Sequence, residues 1–189
     1  MNDHLVLKSS GKQQANIRKN LGIRTIFNLL GPLLNPANAN YQMIGVSSEE
    51  LRKKIAEVLK KLGTKRSLIV SGHDGLDEIS LSGPTKITEI NENSLKDTIL
   101  QPSDFGFKPF SIQKIQINSK DSSIQMFKES ISGEYEFGTQ IIAANAGAVF
   151  YILDLVNSLK EGAQLAYEII KSGLAVKKLE EYTKFSNQK

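Results

Sequence analysis

A strand, a capped helix and a second strand follow one another between Tyr41 and Val70, and that order leaves few folds open. Tyr41–Val46 (YQMIGV) is a short apolar run of strand length. Ser47 opens a helix, and Glu50 completes a capping box with it. Leu51, Ile55, Val58, Leu59 and Leu62 then recur on one helical face, and Gly63 stops the helix. Arg66–Val70 (RSLIV) is the second strand, followed by a glycine-containing loop at Gly72–Gly75. Strands joined through a helix of this length form a parallel crossover unit. In such sheets ligands sit beyond the carboxyl ends of the strands, so the Gly72–Glu78 segment lies where a site belongs.

The remaining pattern extends the same class. Glu78–Ser82 and Lys86–Ile90 read as short strands around a Gly83-Pro84 turn, and Thr98–Leu100 reads as an edge strand. Gln101–Phe110 is a loop. Asp121–Ser132, Phe137–Val156, Leu159–Ser172 and Ala175–Phe185 read as helices, the third capped by Ser158 and Glu161. No linker composition interrupts the chain. The expectation is a single α/β domain over residues 1–189, with a mainly parallel central sheet flanked by helices.

Composition excludes several functions. The apolar fraction of 40% and charged fraction of 23% are those of an ordinary globular chain. Without cysteine there is no disulfide framework and no thiolate metal site. The longest apolar stretch, Ile141–Val156, is broken by Asn145 and Asp154 and falls short of the roughly 20 residues of a membrane span. The N-terminal MNDHLVLKSSGK lacks the apolar core of a signal peptide. A cytoplasmic chain with no membrane partner is expected. The net charge of +4 is spread over dispersed lysines, with no basic stripe and no interleaved aromatic series, so a nucleic-acid partner is not expected. His4 and His73 lie too far apart to propose a triad or metal cluster from spacing.

Leu21–Pro36 (LGIRTIFNLLGPLLNP) breaks an apolar run with Gly22, Gly31, Pro32 and Pro36, and carries Arg24 and Asn28 inside it. Each glycine in a helix interior costs about 1 kcal/mol relative to alanine, so backbone that turns tightly or approaches a ligand explains them better than packing. Downstream, Asp77 and Glu78 form an adjacent acidic pair. Taken alone, the pair is either a turn with solvated carboxylates or a hard-oxygen site for Mg²⁺, which takes one or two carboxylates plus substrate phosphates. Neighbouring strand side chains face opposite ways, so shared service requires irregular backbone or a ligand acting through water. Gly75 offers a bend. Asp74 reads as a solvated loop residue and His73 as a loop residue rather than a ligand. Asn145, inside an apolar helix, requires a buried partner, and Phe150 and Tyr151 fit a core face.

LGIRTIFNLLGPLLNP, the Ala56–Thr85 run with its GLDEIS, QPSDFGF at Gln101–Phe107, NAGAVFYI at Asn145–Ile152 and Ser158–Glu181 resemble, in the right order, the anthranilate phosphoribosyltransferases of tryptophan biosynthesis. The resemblance implies a fold of the nucleoside phosphorylase/phosphoribosyltransferase (glycosyltransferase family 3) type. It also implies transfer of a phosphoribosyl group from phosphoribosyl pyrophosphate to anthranilate, with Mg²⁺ as cofactor. It assigns Asp77 and Glu78 to the metal, and Arg18, Gly31 and Pro32 to anthranilate, with no catalytic acid or base. A guanidinium facing the anthranilate carboxylate is chemically apt. Arg24 either holds the turn through a buried carboxylate or touches ligand, and Asn28 reads as structural. Lys8 stands where the family usually has histidine, and Met1–Gly11 matches poorly.

The match covers the second half of such an enzyme. The resemblance places the family's glycine-rich phosphate loop and most of the helical region through which its homodimers associate outside these residues, so a homodimer is not expected. It makes residues 1–20 a remnant of the passage between domains, and little or no activity is expected of the chain alone. The alternatives are a noncatalytic nucleic-acid-binding relative and a pyrimidine nucleoside phosphorylase-like enzyme.

Overall fold

Tyr41–Gly45 (β1) and Arg66–Gly72 (β2) run parallel, Tyr41 opposite Arg66 and Gly45 opposite Val70. This is the crossover unit expected from sequence. The molecule, a computed structural model, is described at Leu33 and over residues 39–187 except 93. Apart from Leu33 these residues belong to one compact unit, Ala39–Lys189. Arg18, Arg24, Asn28, Gly31 and Pro32 lie outside the described residues, and the expectation of one domain over residues 1–189 reaches beyond them too.

The connecting helix, Glu49–Lys61 (α1), is capped by Ser48, whose hydroxyl accepts from the Leu51 N–H at 3.3 Å. The cap is one residue later than expected, which leaves Glu49 and Glu50 together in the first turn, where the helix dipole favours acids. Its buried stripe is Arg52, Ile55, Ala56 and Leu59, while Val58 and Leu62 are 38% and 63% exposed. The stripe is thus rotated from the one expected. Arg52 is buried because its guanidinium donates to the Thr88 hydroxyl and to Asp97 at 2.6 Å on the neighbouring strands. A buried charge is tolerable only with such partners.

Thr85–Asn91 (β3) and Ser94–Leu100 (β4) complete the sheet in the order β1-β2-β3-β4. β3 is antiparallel to β2, Gly72 opposite Thr85, and β4 is antiparallel to β3, Asn91 opposite Ser94. The class is α/β as expected, but among the described strands the sheet is mixed rather than mainly parallel. The reason is connection length: the link after Asn91 is a tight turn and the one after Gly72 holds no helix, whereas parallel pairing needs a crossover.

Glu78–Ser82 is not a strand, although Ile79 and Leu81 are both 0% exposed. Side chains take most of its backbone partners instead, while the Leu81 carbonyl accepts from the Phe110 N–H at 3.0 Å. Asn145 bonds Ile79, the Thr85 hydroxyl accepts from the Ser80 N–H at 3.0 Å, and the Ser80 hydroxyl accepts from the Ser82 N–H at 3.0 Å.

Lys120–Ile131 (α2), Glu136–Ile152 (α3), Leu159–Lys171 (α4) and Leu174–Ser186 (α5) follow. Strand alternation separates the two faces of the sheet. Leu68, Val70 and Ile87 pack with Ile79, Leu81, Phe105 and the α3 residues Ile141, Ala144, Ala148 and Ile152 in the main core. α3 ends at Ile152, before the expected Val156. Asp154 has φ +56°, and the chain turns there because Arg66 collects the Tyr151 carbonyl at 3.1 Å and the Asp154 carboxylate. The Arg66 guanidinium also lies 4.2 Å over the Tyr151 ring, pinning the end of α3 to the start of β2. Among the described residues no helix is long and apolar enough to cross a membrane.

Candidate functional site

The loop leaving β2 folds on itself before it reaches the acidic pair. The Gly72 N–H donates to the Leu76 carbonyl at 2.9 Å, the Gly75 N–H to Gly72 at 3.1 Å, and the His73 N–H to Pro84 at 3.0 Å. Gly75 has φ +86°, a conformation other residues rarely adopt, and so supplies the bend expected of it. Asp74 is more than a solvated loop residue. Its carboxylate accepts from the Leu76 N–H at 3.2 Å, from the Ser80 hydroxyl at 2.6 Å and from the Ser82 hydroxyl. Burial acts to raise its pKa, but the Ser80, Ser82 and Leu76 hydrogen bonds, aided by His73, outweigh that and hold it below the ordinary value. The stretch from Leu76 to Ser82 is therefore tied at both ends to one carboxylate.

Asp77 and Glu78 sit between those ties, on irregular backbone at the carboxyl end of β2. That irregularity meets the condition for two adjacent carboxylates to serve one site. The Asp77 carbonyl packs against Gly45 at the end of β1, so closely that a Cβ on Gly45 would lie 1.4 Å from its oxygen. Asp77 is exposed and Glu78 half-buried. From inside, Asn145 on α3 accepts from the Ile79 N–H at 2.9 Å and donates to the Ile79 carbonyl at 3.2 Å and to Ile141 at 3.0 Å. This is the buried partner that Asn145 required.

Electrostatically the pair is unbalanced. Burial raises the pKa of Glu78, and the charges of Asp77 and Asp74 raise it further. Among the described residues no hydrogen-bond donor or basic side chain is paired with either carboxylate. No group of three or more His, Cys, Asp or Glu among the described residues forms a complete metal cage. Two hard-oxygen ligands with uncompensated negative charge do fit Mg²⁺, which keeps its waters and relies on substrate phosphates for the rest. His73 lies against Gly83, whose Cβ would come 2.5 Å from the imidazole Cε1, consistent with a loop residue.

Gly45 carried no signal beyond its place at the end of an apolar run, yet it sets where the Asp77 backbone passes. Gly45→Ala is expected to lower unfolding free energy by about 1–3 kcal/mol, the usual range for overpacking, because the exposed, irregular Asp77 segment can give way more cheaply than a pair of packed helices. Urea unfolding checks this, and wild-type stability would contradict the close approach.

The family model described as glycosyl transferase family, a/b domain, matches residues 5–176. The anthranilate phosphoribosyltransferase of Petrotoga mobilis is 45% identical over 176 residues, covering 93% of this chain and 51% of that protein. The crystal structure of the Thermus thermophilus anthranilate phosphoribosyltransferase superimposes with TM-score 0.81 at 37% identity, covering 90% of this chain and 50% of that one. The Saccharomyces cerevisiae enzyme in complex with phosphoribosyl pyrophosphate and Mg superimposes with TM-score 0.75 at 33% identity, covering 88% and 48%. The chain spans about half the length of the curated relatives it matches. On the strength of that match and of the fold, the chain belongs to the glycosyl transferase family through its α/β domain.

Proposed function

We propose that this chain supplies the α/β part of a site that transfers a phosphoribosyl group from phosphoribosyl pyrophosphate to anthranilate, releasing pyrophosphate, in the tryptophan biosynthesis of the cytoplasm. The observation that carries the reading is the Asp77–Glu78 pair. Two adjacent carboxylates, one half-buried, stand at the carboxyl end of a parallel strand with no cation paired to them among the described residues. The named activity of relatives that match nearly the whole chain supports it further.

When bound, Mg²⁺ would neutralise charge building on the departing pyrophosphate. Asp77 and Glu78 would hold it and fix its position relative to the loop. Arg18 would orient the anthranilate carboxylate through paired donors, with Gly31 and Pro32 walling the ring. No residue needs to deprotonate the nitrogen before it attacks, because an aniline-type amine is already unprotonated near neutral pH. The proton it sheds once bonded to the sugar, as pyrophosphate departs, would pass to water. Placement of nucleophile and sugar in attack geometry supplies much of the rate.

For a chain spanning half of its relatives, binding is the informative readout. Anthranilate fluorescence anisotropy should rise saturably with added chain, and Arg18→Ala should weaken that binding about tenfold or more, the cost expected when a charge-assisted contact of about 1.5–3 kcal/mol is lost. In parallel, affinity for duplex DNA should be negligible at physiological salt. No anthranilate binding, together with DNA binding that falls steeply with salt, would overturn the reading.

A further inference from the structure

Asn145 serves a backbone 66 residues away that no strand reaches: the buried Ile79 N–H and carbonyl are both bonded by its carboxamide. The helix that carries it is otherwise built of small and apolar residues where it meets the core, with Ile141, Ala144, Ala148 and Ile152 all in the main cluster. An aliphatic residue would fill the same position but leave the buried Ile79 N–H and carbonyl without that partner. Three of the four hydrogen bonds a carboxamide can make are formed. Its oxygen accepts from the Ile79 N–H, and its nitrogen donates both protons, to the Ile79 and Ile141 carbonyls. To Ile79 it presents the pair of bonds that a neighbouring strand would otherwise offer.

Ile79 directly follows Glu78. With the Ile79 peptide groups fixed by one amide plane, and the Ile79 side chain at 0% exposure, the direction in which Glu78 leaves the backbone is set from one side. On the other side the Asp77 carbonyl is seated on Gly45. Both carboxylates are thereby held without spending a hydrogen bond from a described residue on either. We infer that Asn145 is a positioning residue for the Asp77–Glu78 pair, holding the two carboxylates in the orientation that receives a divalent cation by clamping the Ile79 backbone to α3. The inference rests on the reading of the pair as a cation site. It adds a residue that touches neither the cation nor a substrate.

The test uses the full chain labelled with ¹⁵N, with Mn²⁺ alone as probe. It compares wild type, Asn145→Ala, Glu78→Gln and Ile152→Val, the last a core change in the same helix away from the loop. Loss of an outer partner of a metal ligand typically weakens metal affinity by about 10–100-fold. Asn145→Ala should therefore shift the midpoint of Mn²⁺-induced amide broadening by that factor, and the Ile79 amide should lose hydrogen-exchange protection. Ile152→Val should keep the wild-type midpoint despite its lower stability. If Asn145→Ala does not fold, Asn145→Ser carries the test, because its hydroxyl is too short to bridge both Ile79 groups. An unchanged midpoint in the Asn145 variant, or an equal loss in Ile152→Val, overturns the inference while leaving the cation site standing. A wild-type midpoint unaffected by Glu78→Gln overturns the cation reading itself, and the inference with it.

Discussion

Gly147→Ala is expected to lower the unfolding free energy by about 3 kcal/mol or more, at the upper end of the range for overpacking. A Cβ on Gly147 would lie 2.2 Å from the Ala163 nitrogen and 2.3 Å from the Gly162 carbonyl carbon. In return, a Cβ on Gly162 would lie 2.3 Å from the Gly147 carbonyl oxygen. These neighbours are backbone, so no side chain can rotate out of the way and α3 and α4 must move apart. Separation would loosen the buried alanines Ala143, Ala144, Ala148, Ala163 and Ala166, which depend on the close crossing. Helix propensity argues the other way, since alanine exceeds glycine by about 1 kcal/mol in a helix interior. The sign therefore decides between the effects. Against a total stability of about 5–15 kcal/mol the predicted loss is large. Urea unfolding measures it, and a stabilised Gly147→Ala variant would show that the two helices do not cross as closely as described.

Glu78→Gln is expected to stabilise the protein when no divalent cation is present, even though it removes a proposed ligand. The pKa of Glu78 is raised by its burial and by the charges of Asp77 and Asp74. A raised carboxyl binds its proton more tightly folded than unfolded. As pH climbs from the unfolded value, about 4.3, through the folded one, the folded state loses stability that it held at lower pH. Glutamine keeps the shape without the charge. The melting temperature of Glu78→Gln should accordingly exceed that of wild type at neutral pH, and the difference should shrink as pH falls toward the unfolded carboxyl value. Mg²⁺ should then favour wild type, because a ligand that binds only the folded state stabilises it by mass action. A wild type more stable than Glu78→Gln in chelator at neutral pH would contradict the electrostatic description of the site.

Different parts of this structure were legible for different physical reasons. The β1–α1–β2 unit shows in the sequence because its information is local: apolar runs of strand length, a hydroxyl cap and a terminal glycine. Cap and stripe shifted slightly because Ser47 and Ser48 are chemically alike, and because Arg52 could be buried only by partners on strands far along the chain. Glu78–Ser82 mimics a strand, with Ile79 and Leu81 buried, yet most of its hydrogen bonds go to side chains that no periodicity reveals. Asn145 announced that it needed a partner but not which one, since Ile79 lies 66 residues away. The acidic pair was readable as a candidate from its residue types and from resemblance. Its half-buried, uncompensated environment and the seat offered by Gly45 are properties of the fold. Arg18, Gly31 and Pro32 rest on the sequence resemblance.

Asp77 and Glu78 are proposed to receive a divalent cation together. The most direct measurement is substoichiometric Mn²⁺ added to the ¹⁵N-labelled full chain, with amide signals followed residue by residue. Signals of Asp77, Glu78, Ile79 and the adjoining Gly45 should broaden first, and an Asp77→Asn/Glu78→Gln double variant should abolish that order. Broadening that starts elsewhere, or that survives the double variant unchanged, would mean that Asp77 and Glu78 do not hold the cation.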